Sequence, residues 1–144
     1  MKISTKGRYA LRLMIDLALH NNSYVALKDV AARQGISKKY LEQIVPLLIR
    51  SGMLHTSRGF QGGYKLARSP SSYTIGDILR ITEGSLAPVS CLDNEINLCD
   101  KQNSCPTLYM WQGLYDVINK YLDSITLQDL IDKYYKLGAD EYYI

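Results

Sequence analysis

The stretch LKDVAARQGISKKYLEQIVPLLIRSGMLHTSRGFQGGYKLA, residues 27–67, decides the fold. Its first part carries Leu27, Val30 and Ala31 at helical spacing and stops at Gly35, a residue suited to the left-handed position that ends a helix. Ser37 can then cap a second helix over about 38–51, with Leu41, Ile44, Val45 and Leu48 as its inward stripe and Gly52 at its end. Two short amphipathic helices about a tight glycine turn form a helix-turn-helix pattern. Pro46 lies inside the second helix and removes the hydrogen bond to the Glu42 carbonyl. The helix must kink or tighten there, or else end early. Two β-like stretches follow, about 53–57 and 64–67, joined by a loop with glycines at 59, 62 and 63. A hairpin placed directly after a helix-turn-helix is the wing of a winged helix.

Outward from this core, apolar residues at 9, 10, 13, 14, 17 and 18 predict an amphipathic helix over about 4–21. Downstream, Thr74 and Asp77 stand at N-cap and N3 spacing and can form a capping box, flanked by Tyr73 and Ile78 as a hydrophobic staple. A polar segment holding Cys91, Cys99 and Cys105 comes next. Helical period returns over about 106–123. Leu108, Trp111, Tyr115, Ile118 and Leu122 form a heptad-like seam, and Met110, Leu114, Val117 and Tyr121 form a second stripe beside it. So wide an apolar arc asks for two packing partners, its own domain and a second subunit, although one broad core contact in a monomer would also satisfy it. Ile125, Thr126, Asp129 and Leu130 repeat the staple and box and start a last helix over about 127–136.

The expected class is therefore mainly α with a small β wing: a winged helix-turn-helix head over 1–83, a cysteine-containing loop over 84–105, and a long dimerisation helix with a C-terminal helix over 106–144. No run of eighteen apolar residues suggests a membrane span, and the N-terminus lacks a signal-peptide pattern. A cytoplasmic protein with no membrane partner is expected.

Charge is divided along the chain. Residues 1–70 hold twelve Lys/Arg against three Asp/Glu, a net +9, and residues 71–144 hold five against eleven, a net −6. The total is the chain's +3. A basic first half points to a polyanion, above all nucleic acid. On the second helix of the helix-turn-helix, Lys38, Lys39, Glu42 and Gln43 face away from the apolar stripe. Gln suits adenine, Glu accepts from cytosine, and Lys meets phosphate or guanine. Arg58 at the wing tip, among glycines, is placed to enter a minor groove. Nothing supports catalysis: there is no nucleotide-binding glycine loop and no histidine near the cysteines.

The motifs STKGRYAL, ISKKYLEQ, SRGFQGGYKLA and TIGDILRITEG, in this order, resemble those of the Rrf-type bacterial winged-helix transcriptional regulators. The resemblance covers nearly the whole chain. It implies a homodimer on a partly palindromic promoter, with base and phosphate contacts near Tyr40, Glu42 and Gln43 and minor-groove insertion by Arg58. Two branches of the family come into question. In the iron–sulfur-sensing (IscR-type) branch, three cysteines lie between head and dimer helix, where Cys91, Cys99 and Cys105 lie here. That reading implies a cluster, 2Fe–2S in the first place, with control of cluster-biogenesis genes. Its fourth ligand is open, because Leu108 stands where a histidine is expected. Fe–S clusters want thiolates, whereas structural zinc wants paired Cys knuckles that are absent. Thiol redox switching and an inert segment are the other readings of the three cysteines. The cysteine-metabolism (CymR-type) branch generally lacks these cysteines, yet this chain ends DEYYI, similar to that branch's tails. That likeness implies thiol sensing and a complex with cysteine synthase through Ile144.

Overall fold

The computed structural model describes residues 2–141, the side chains of 139–141 excepted. Six helices and one hairpin follow in the order α1 (Thr5–Leu19), α2 (Leu27–Gln34), α3 (Lys38–Arg50), β1 (Leu54–Ser57), β2 (Gly63–Leu66), α4 (Ile75–Glu83), α5 (Leu108–Asp123) and α6 (Leu127–Glu141). The start signals act as their chemistry demands. The Ser37 hydroxyl accepts from the Tyr40 N–H at 3.1 Å at the start of α3. Thr74 and Asp77 exchange both hydrogen bonds of a capping box on α4, and Thr126 and Asp129 do so on α6. Gly35 closes α2 at φ +63°, a left-handed value that costs glycine little.

Helix α3 runs unbroken past Pro46, so the reading in which it ends early is not the one adopted. Its predicted stripe, Leu41, Ile44, Val45 and Leu48, is buried against Ala10, Leu13, Met14 and Leu17 of α1 and Val30 of α2. The hairpin is antiparallel in the register Leu54↔Leu66 to Ser57↔Gly63, which turns both leucines into the core. Strand β2 is tied to the head along its other edge by reciprocal backbone hydrogen bonds of 2.9 Å between Val25 and Tyr64, a bridge with no periodic signal in the sequence. Gly63 permits that approach, since a Cβ there would stand 2.2 Å from the Val25 carbonyl oxygen.

Helix α6 extends to Glu141 rather than ending near 136. It also returns to the head: Leu127 and Ile131 lie in the same core as the helix-turn-helix. Helix α5 rests on a second, smaller core, where Tyr115, Ile118 and Leu122 lean on Ile75, Leu79 and Leu86. No helix among the described residues is long and apolar enough to cross a membrane.

Candidate nucleic-acid interface and cysteine segment

Lys38, Lys39, Glu42 and Gln43 are exposed on α3, on the side away from the core. Tyr40 is half-buried, its ring edge-on to Tyr9 of α1 with centroids 5.4 Å apart. Lys38 and Glu42 form an i,i+4 ion pair at 3.7 Å, both exposed, which holds them as one polar group on the outer face. The structure thus brings five of the predicted residues onto one helix. Arg58 stands apart from them, exposed at the end of β1.

The packing of α2 on α1 involves an acid that the sequence reading did not single out. Asp16 of α1 is 1% exposed. Its Oδ1 accepts from Arg33 Nη2 at 2.7 Å, and its Oδ2 accepts from Arg33 Nε at 3.1 Å and from Gln34 Nε2 at 3.0 Å. Burial by itself would raise this carboxyl, but the hydrogen bonds from Arg33 and Gln34 and the charges of Arg33 and His20 outweigh it, and Asp16 titrates below its ordinary value. Arg12 reinforces the same joint by donating to the Gln34 side chain and backbone carbonyl. The only sequence signal was an acid on the inward arc of an amphipathic helix.

The cysteine segment is irregular. Cys91 and Cys99 border one shallow depression of about 280 Å³ with Ser90, Asn94, Ile96 and Leu98. Cys105 stands apart, just before α5, with its Sγ 3.3 Å from the Thr107 hydroxyl. No three His, Cys, Asp or Glu side chains among the described residues are close enough to share a metal ion. As arranged, the three thiols do not make the ligand set of an iron–sulfur cluster, which requires convergent thiolates. Leu108, three residues on from Cys105, begins α5 and offers no donor. Hydrogen bonds from the Thr107 hydroxyl and the Leu108 N–H lower the Cys105 thiol below its ordinary value, against a smaller effect of burial. The nearby Lys101 charge acts in the same direction. Thr107 spends its hydroxyl on this sulfur and leaves α5 without a side-chain cap.

The five seam residues of α5 (Leu108, Trp111, Tyr115, Ile118 and Leu122) are half-buried, and Tyr115, Ile118 and Leu122 pack on the smaller core. Its second stripe, Met110, Leu114, Val117 and Tyr121, is exposed, reaching 65% at Val117. Ile144 lies outside the described residues.

A helix-turn-helix packed on α1, a glycine-rich wing and an outward row of Lys, Glu and Gln are the features of a winged-helix DNA-binding protein. The chain belongs to the Rrf2 family: residues 3–133 match the model of that family, described as iron-dependent transcriptional regulators. It is 39% identical to the HTH-type transcriptional regulator CymR of Bacillus subtilis, over all of this chain and 98% of that protein. To the regulator IscR of Yersinia pestis it is 36% identical, over 92% of this chain and 80% of the relative. Among solved structures, B. subtilis CymR, titled the global cysteine regulator, superposes with a TM-score of 0.75 at 36% identity, covering 92% and 98% of the two chains. T. potens IscR does so with a TM-score of 0.73 at 37% identity, covering 92% and 88%. The chain is related to both branches.

Proposed function

We propose that the chain acts as a homodimer that reads promoter DNA through α3 and the wing and adjusts its binding through the cysteine segment. The observation that carries this reading is the division of α3 into a wholly buried stripe and an outward row of Lys38, Lys39, Glu42 and Gln43 beside Tyr40. A helix so divided has its second face free for the major groove. Gln43 and Glu42 read base edges, Lys38 and Lys39 neutralise phosphates, Tyr40 supports the contact, and Arg58 enters the adjacent minor groove. The exposed stripe of α5 supports pairing with a second copy, because four large apolar side chains otherwise face water.

Iron–sulfur sensing through Cys91, Cys99 and Cys105, which would have to be drawn together by a rearrangement of the segment and joined by a fourth donor from elsewhere, is our first reading of the segment. It is supported by the location of the three thiols between head and α5 and by iron-dependent relatives. Thiol redox sensing is the second, and the polarised Cys105 favours it. On either reading, ordering of residues 84–105 fixes the spacing of the two α3 helices, and its loss shifts the population toward conformers that bind DNA differently. Iron and labile-sulfide analysis of anaerobically purified protein separates the two. Binding of a duplex enriched from a random pool tests the rest. Gln43→Ala should relax base preference, and Lys39→Ala should weaken all sequences alike and lower the salt slope by about 0.9. If replacing all three cysteines by alanine leaves binding unchanged in both reduced, iron-loaded and oxidised preparations, the segment is not the sensor.

A further inference from the structure

We infer that Phe60 is a DNA-contacting residue, an apolar wedge that the wing carries into the minor groove beside Arg58; this rests on the DNA-binding reading above. Phe60 is the chain's one phenylalanine and has a relative exposure of 104%, so its ring touches no other part of the molecule. The backbone builds that exposure. The Gly62 N–H donates to the Gly59 carbonyl at 3.0 Å and closes a turn with Phe60 and Gln61 at its corners. Gly59 supports the turn at φ +106°. A Cβ at Gly62 would lie 2.3 Å from the Ser57 carbonyl oxygen, so the turn admits no side chain there. The tip consequently presents Arg58, Phe60 and Gln61 on a strip otherwise made of glycine at 59, 62 and 63.

That strip is narrow enough to suit a groove only about 6 Å wide. Its base is not free to swing, because Leu54 and Leu66 are buried and Tyr64 is bridged to Val25. Charge selects the occupant. The ring is exposed alone beside the exposed cation Arg58, on the half of the chain that carries a net +9. A hydrophobic protein partner would ask for an apolar patch, whereas a polyanion with apolar sugar walls matches one ring beside a cation. Aromatic and aliphatic side chains inserted in this way contact sugars and base edges and carry no charge.

The test uses the full-length protein and a fluorescent duplex enriched from a random pool by the wild type, titrated at several salt concentrations. Phe60→Ala should fold as the wild type does, since the ring makes no contact in the free protein. It should bind about tenfold more weakly with an unchanged salt slope, and Phe60→Leu should recover most of the loss. Arg58→Ala, by contrast, should lower the slope by about one. Phe60→Ala binding within about twofold of wild type overturns the inference while leaving the DNA reading intact. A loss accompanied by a lower slope also overturns it, since the ring would then act by placing Arg58. If the wild type enriches no duplex, the DNA reading fails and takes this inference with it.

Discussion

The joint between α1 and α2 makes an asymmetric prediction: removing the more exposed partner of the ion pair should cost more than neutralising the buried one. Asp16 is 2% exposed at its side chain and Arg33 38%. In Arg33→Ala, Oδ1 loses its hydrogen bonds from Nη2 at 2.7 Å and Nε at 3.3 Å and is left with the His20 ring nitrogen 3.6 Å away, which bonds the Asp16 backbone oxygen at 2.8 Å instead. Oδ2 retains Gln34 at 3.0 Å. A buried carboxylate stripped of its cation costs about 3–5 kcal/mol, and solvent access at the vacated Arg33 site places this case near the lower end, about 3 kcal/mol. Asp16→Asn removes the charge but keeps the shape and one acceptor oxygen. Arg33 can then turn to water, and the cost is about 1–2 kcal/mol.

The pH dependence follows from the depressed Asp16 carboxyl. Its folded value lies below the unfolded one, about 3.9, so its stabilisation is fully present above that pH and is lost as pH falls through the folded value. In Arg33→Ala, burial is opposed only by Gln34 and His20 and the folded value rises. The stability gap between wild type and Arg33→Ala is then widest near neutral pH and narrows as pH falls from the variant's raised folded value toward the wild type's depressed one. Urea unfolding at neutral and acid pH measures both quantities. A gap that does not change with pH, or an Asp16→Asn cost equal to that of Arg33→Ala, would refute the reasoning.

Gly63→Ala places a methyl 2.2 Å from the Val25 carbonyl oxygen, and backbone cannot move aside cheaply. It should destabilise by about 1–3 kcal/mol and free the wing, read by thermal unfolding and by faster amide exchange at Val25 and Tyr64. Cys105 should be alkylated at lower pH in the folded protein than in the urea-unfolded chain, because its thiol is held below the ordinary value chiefly by Thr107. Thr107→Val should move the alkylation midpoint upward, as followed by mass spectrometry of the labelled peptides.

The head was legible because each of its signals is local and periodic. Leu41, Ile44, Val45 and Leu48 repeat at helical spacing, Gly35 and Gly52 punctuate, and the Thr74–Asp77 box is a three-residue rule. Contacts made by single residues across long separations were not legible. The Val25–Tyr64 bridge is one pair without a period. Asp16 reads as a stray acid until Arg33, seventeen positions away, is placed against it. Helix α6 shows the right start, yet only packing reveals that Leu127 belongs to the same core as Leu13. The cysteines lie close in sequence, but an irregular fifteen-residue segment carries no periodic signal, so proximity along the chain said little about the positions of three sulfurs.

The way α4 is tied limits how a change in that segment can reach the head. At its C-terminal end, Glu83 Oε1 accepts from the Ser4 N–H at 3.0 Å and from the Ser4 hydroxyl at 2.7 Å, which fastens α4 to the start of α1. Gly84 then turns the chain out into the cysteine segment at φ +80°. Where the segment rejoins, the ties between head and α5 lie late in the helix. Arg80 donates to Asn119 at 3.1 Å and to Asp123 at 2.9 Å, and Thr74 donates to Asp123 at 3.4 Å. Just beyond α5, Ile75 N–H donates to Ile125 O and Leu127 N–H to Tyr73 O. Among the described residues, no hydrogen bond joins the head to α5 before Asn119. Helix α5 is thus hydrogen-bonded to the head only near its C-terminal end, and its apolar contacts with the smaller core come from Tyr115, Ile118 and Leu122. Leu108 lies about 16 Å along the axis from Asn119 at 1.5 Å per residue, so a tilt of about 10° carries it about 3 Å. Glu83 and Ser4 resist motion on the other side of the segment. On the proposed sensing role, a rearrangement between Gly84 and Thr107 should therefore displace the N-terminal end of α5, with its exposed apolar stripe, before it disturbs α3.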